Sequence, residues 1–103
     1  MQIFSDYNGR PVRLTDERLA HLLEHPEMRG TNSDLEEMLS QPDLVVEFRT
    51  DSPLRMNYRF CTGTSIGDVM LCVVVSYALE QPFVITAYLT DRPKRGKQLW
   101  PIK

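Results

Sequence analysis

The sequence predicts an α+β fold: two helices followed by a four-stranded antiparallel meander, with a short N-terminal hairpin, in a single domain over residues 1–103. Three observations carry this. Apolar residues recur at helical spacing in Leu19, Leu22 and Leu23, and again in Leu35, Met38 and Leu39. From Asp43 onward the period changes to alternation, in the runs Leu44–Arg49, Leu54–Cys61, Val69–Tyr77 and Phe83–Thr90. The separators are short and rich in turn formers, which suits antiparallel neighbours, because a parallel pair needs a crossover of about a dozen residues or more.

In chain order, Asp6-Tyr7-Asn8-Gly9 supplies turn residues between Ile3-Phe4 and Val12-Arg13-Leu14, the pattern of a hairpin. Thr15 has the chemistry of an N-cap, with Asp16 and Glu17 in the first turn, where the helix dipole favours them. Pro26 ends this helix near His25, since proline disfavours helical geometry in the residue before it. Ser33 with Glu36 forms a capping box for the second helix, which Pro42 stops. Thr50-Asp51-Ser52-Pro53, Thr62 to Asp68, and Ala78 to Pro82 separate the strands.

At 103 residues one core is large enough to fold without staples. No run approaches the ~20 apolar residues of a transmembrane helix, and the start lacks the basic flank and apolar segment of a signal peptide, so the chain reads as cytoplasmic with no membrane partner. Cys61 and Cys72 lack metal or disulfide-framework spacing and read as free thiols on strands; neither metal nor cofactor is expected. The net charge of −2 hides a gradient: Met1–Pro53 carries 5 basic and 11 acidic residues, Leu54–Lys103 carries 7 and 3. The second half is therefore the electrostatic footprint for an anionic partner.

Centring each hairpin on its turn puts Arg49 near Arg55, Cys61 near Cys72 and Ser76 near Val84, and strict alternation then sorts the faces. One face, with Leu44, Val46, Met56, Tyr58, Phe60, Leu71, Val73, Val75, Ile85, Ala87 and Leu89, is the expected core. The other collects Glu47, Arg49, Arg55, Asn57, Arg59, Cys72, Thr86, Tyr88 and Thr90. Such a face is either ordinary solvated sheet or a phosphodiester-binding surface, where guanidinium forks hold phosphate oxygens and hydroxyls orient them. Tyr88 could stack a base there.

His21 and His25 lie at i and i+4, but Glu24 does not stand where a metalloprotease base must, so the pair reads as exposed or as acid–base groups titrating near neutral pH. Glu47 is the alternative base, with a plain salt-bridge role competing. Thr62-Gly63-Thr64-Ser65-Ile66-Gly67 reads as a hairpin loop, not a phosphate-binding one.

His21 with His25-Pro26-Glu27, Gln41-Pro42-Asp43, Met56-Asn57-Tyr58-Arg59-Phe60, Leu71 to Val75, and Phe83 to Thr90 with Lys94 and Trp100 resemble the small phage and bacterial domains grouped with barnase, EndoU, colicin and RelE-like ribonucleases. The resemblance runs from about Thr15 to Trp100. It implies metal-independent RNA cleavage by attack of the 2′-hydroxyl. It also implies that His21 or His25 matches the helix histidine, Arg59 the arginine that stabilises the phosphorane, Thr86 the last-strand hydroxyl, and Lys94 and Arg95 an extended phosphate track. The expected function is an endoribonuclease-like domain, as a toxin component restrained by a protein antitoxin. A non-enzymatic protein-interaction module of the same fold is the alternative.

Overall fold

The computed structural model describes residues 1–24, 32–48, 53–64, 67–78 and 80–101. His25 and Arg49, both expected site residues, lie outside the described residues.

The expected hairpin forms, with β1 (Gln2–Ser5) antiparallel to β2 (Pro11–Leu14). Its turn is organised by Asp6, whose Oδ1 accepts the backbone N–H groups of Asn8 and Arg10, each at 2.8 Å. Gly9 takes the positive φ of 79° that the turn requires. Helix α1 (Asp16–Leu23) begins where the capping chemistry places it, Thr15 Oγ1 accepting from Arg18 N at 3.2 Å. It buries Leu22. Helix α2 (Asn32–Ser40) buries Leu35, Met38 and Leu39, the stripe that its spacing marks as apolar. Among the described residues no helix is long and apolar enough to cross a membrane.

The architecture corrects the expected one. Instead of two helices followed by a four-stranded antiparallel meander, the described residues build one seven-stranded mixed sheet with two short helices. The strands β3 (Leu44–Glu47), β4 (Leu54–Thr64), β5 (Gly67–Ser76), β6 (Phe83–Thr90) and β7 (Lys97–Trp100) join the hairpin in the order β1-β2-β6-β5-β4-β3-β7. The hairpin is not an appendage. β2 docks parallel to β6 at Arg13↔Phe83, where Arg13 N donates to Pro82 O at 2.9 Å. Phe4, Val12 and Leu14 thereby extend the core beneath the helices.

β4 pairs β5 as Tyr58↔Cys72 and Cys61↔Val69, not with Cys61 near Cys72, because Thr62 to Thr64 and Gly67 continue the ladder instead of forming a long loop. The offset is three positions, an odd number, so β5 and β6 present their opposite faces to those expected beside β4. β3 against β4 is offset by two, as Glu47↔Arg55, and keeps its faces. β6 against β5 follows the expected register over Met70–Val74, then an irregularity between Val74 and Val75 places Ser76 opposite Phe83.

The sheet consequently has a core on each side. Under the helices lie Leu22, Leu35, Met38 and Leu39 with Leu71, Val73, Val75, Val84 and Ala87. The opposite side packs Val46, Met56, Tyr58, Met70, Cys72 and Val74. Phe60, expected in the core, is 58% exposed. The second core is covered by the segment Asp91–Gly96, which carries the chain from β6 to β7 past β5, β4 and β3. Four strand spacings require about 19 Å, and the seven steps from Thr90 to Lys97 span at most about 25 Å, so this segment is long enough to cross with bends at Asp91–Arg92 and Arg95–Gly96. It is pinned by Lys94 N donating to Tyr58 Oη at 2.8 Å, and Lys94 Nζ lies 5.7 Å from the Phe48 ring centroid.

Candidate functional site

On β3 and β4 the alternation places Glu47, Arg55, Asn57 and Arg59 on one side of the sheet, the side that carries the helices. Four of the expected site residues are therefore brought together. Glu47 and Arg55 are direct cross-strand partners, a spacing at which opposite charges attract. Asn57 is buried, its Nδ2 donating to Val73 O at 3.3 Å. Arg59, half-buried, donates from Nη2 to Glu37 Oε1 of α2 at 3.3 Å.

The remaining expected residues are elsewhere. Thr86 pairs with Val74, and Tyr88 with Cys72, on the far side of the sheet from the arginines. This corrects the single surface expected from centred hairpins, and the cause is the odd β4–β5 offset. Burial pushes the Tyr88 phenol well above its ordinary range, and its hydrogen bond to Cys72 adds to the shift. Burial likewise raises the Cys72 thiol, which lowers its nucleophilicity. Lys94 and Arg95 are exposed on the crossover that covers this second side. His21 is exposed on α1, with Nδ1 3.7 Å from Glu24 Oε2.

Around Arg55 the fold assembles residues that the sequence reading did not place in a site. The Arg55 Cζ lies 4.0 Å from the Tyr77 ring centroid, and Nη1 donates to Tyr7 Oη at 3.4 Å. Arg10 Cζ lies 5.3 Å from the same Tyr77 ring. Tyr77 Oη donates to Asp6 Oδ2, and Asp6 is only 3% exposed, so this buried carboxylate is held by three donors. The turn of the first hairpin thus orients Tyr77, and Tyr77 fixes the plane of Arg55.

Trp100 completes the group from β7. Its ring centroid is 5.8 Å from that of Tyr7 at an interplanar angle of 46°, and its Nε1 donates to Pro42 O at 3.1 Å. Tyr7, Arg55, Tyr77, Trp100 and Glu47 are all half-buried. Burial raises the Tyr7 phenol above its usual range, with the Arg55 charge opposing the shift. In sequence, the signals for this group are an aromatic side chain inside a turn at Tyr7 and the lone tryptophan in the C-terminal segment.

Chemically the assembly offers a guanidinium fork of fixed orientation, a carboxylate across the strand from it, a phenol held protonated and two aromatic rings. That set is suited to a phosphodiester with an attached base. No family model, curated protein or solved structure matches the chain.

Proposed function

We propose that this chain acts on RNA as a cytoplasmic endoribonuclease-like domain, cleaving through 2′-hydroxyl attack at the Glu47–Arg55 pair. The observation that carries the reading is the seating of Arg55, opposite Glu47 in the ladder, stacked 4.0 Å from Tyr77 and donating to Tyr7. An antitoxin-like protein partner would act by covering this face.

In the proposed reaction Arg55 holds the scissile phosphate, and Arg59 contacts a neighbouring one on the same side of the sheet. Glu47 takes the proton of the 2′-hydroxyl as its oxygen bonds to phosphorus. The bond from phosphorus to the 5′ oxygen breaks, and the Tyr7 phenol gives its proton to that leaving oxygen. The products are a 2′,3′-cyclic phosphate and a 5′-hydroxyl. Glu47 then loses its proton to water, and Tyr7 regains one. Burial keeps Tyr7 protonated at neutral pH, and the adjacent guanidinium stabilises the phenolate as it forms.

The test is incubation of the purified chain with labelled RNA in EDTA. Removing one well-placed electrostatic donor costs about two to three decades in rate. Arg55→Lys keeps the charge and loses the planar fork, and Glu47→Gln keeps the shape and loses the base; both should cut cleavage by that amount. Thr86→Ala, on the opposite side of the sheet, should leave it unchanged. Cleavage by Arg55→Lys and Glu47→Gln at the wild-type rate would sink the assignment.

A further inference from the structure

Resting on the reading just given, we infer that Tyr7 and Trp100 form a subsite that stacks an unpaired nucleobase, which makes single-stranded RNA the substrate class. Three features point there. First, Trp100 Nε1 is engaged by Pro42 O, so what Trp100 presents to a ligand is its π surface, and the Tyr7 ring lies beside it with its Oη held at Arg55. Second, both are only half-buried, although large aromatic side chains at the end of a sheet are costly to leave in contact with water. Third, Arg55 touches Tyr7 directly, so a phosphate at the guanidinium places the base of the same nucleotide beside the two rings.

Aromatic stacking does not distinguish strongly among bases, because every base has a π face. It does distinguish strand state. In a duplex each base is covered by its neighbours, and only an unstacked base can lie on a side chain. The 46° angle between the two rings rules out a mutual face-to-face stack that would occupy both surfaces. Selection for unpaired RNA follows from this geometry, with base identity of secondary weight.

Trp100 is the single tryptophan, so its emission reports on the subsite directly. The experiment titrates Glu47→Gln protein, in which cleavage is slowed by about two to three decades, with a short single-stranded RNA, the same RNA as a duplex, and inorganic polyphosphate. Saturable quenching by the single strand alone is the expected result. Trp100→Leu should weaken binding of end-labelled single-stranded RNA, read by anisotropy, by about 5- to 150-fold, and Trp100→Phe should retain most of it. Equal quenching by polyphosphate, or Trp100→Leu affinity equal to wild type in a natively folded protein, overturns the subsite. If RNA is cleaved and Arg55→Lys abolishes cleavage while Trp100 emission is unmoved, the subsite falls and the ribonuclease reading stands. If the wild-type chain neither binds nor cleaves RNA, both fall.

Discussion

Replacing Gly96 by alanine should loosen the C-terminal side of the sheet. Gly96 is the last residue of the crossover before β7, and a Cβ built there would overlap the Glu47 carbonyl oxygen and lie 2.8 Å from Val46 Cγ1. The obstacle is mainly backbone, so no side-chain rotation relieves it. Either the crossover lifts or the Glu47↔Lys97 pairing opens. Overpacking of this kind costs about 1–3 kcal/mol, and each lost hydrogen bond adds about 1 kcal/mol. The entropy that alanine removes from the unfolded chain gives back only about 0.4–1 kcal/mol. The steric term therefore wins, with a net loss of about 1–3.5 kcal/mol. For a urea dependence of about 2 kcal/mol per molar, the unfolding midpoint falls by about 0.5–1.8 M. Trp100 emission should shift to the red, because β7 carries that ring against Tyr7. An unchanged midpoint with unchanged emission would refute the close-approach argument.

Two further outcomes test the polar framework. Tyr77→Phe keeps the ring that seats Arg55 but removes a donor from the buried Asp6 carboxylate, which should cost about 1–3 kcal/mol; thermal unfolding would show it as a drop of several degrees, and no drop would mean that Asp6 does not depend on this bond. Alkali should destabilise the fold from about pH 10 upward. Burial pushes Tyr58 up to about 12 and also raises Tyr77 and Tyr88, whereas tyrosines in the unfolded chain ionise near 10. In that window the unfolded state has released protons that the folded state retains, so stability is complete below pH 10 and declines by up to ~1.4 kcal/mol per pH unit for each such tyrosine. Urea midpoints measured across this range check it, and a flat profile contradicts the burial of these phenols.

The hydroxyl of Thr15, the Leu35–Met38–Leu39 spacing and the turn at Asp6–Gly9 each act within a few residues, and the elements they specify form where their chemistry places them. The shared face of Glu47, Arg55, Asn57 and Arg59 is legible for a related reason, since a two-residue slip between β3 and β4 leaves alternation intact. The β4–β5 register is different. β5 is apolar at every position from Val69 to Val75, so either of its faces buries equally well, and period-two alternation cannot choose between registers. That unbroken run was itself the signal for a central strand covered on both sides.

Local sequence thus determines the helices, β3 to β6, the first hairpin and the arginine row on β4, but not β7. Tertiary structure alone decides how these are joined into a seven-stranded sheet, which face of β5 meets that row, and what surrounds Arg55. Tyr7, Tyr77 and Trp100 are far apart in the chain and meet only because β2 docks on β6 and the crossover carries β7 to the far edge of β3. Contacts of that range are selected by the packing of the whole sheet, which no local pattern encodes.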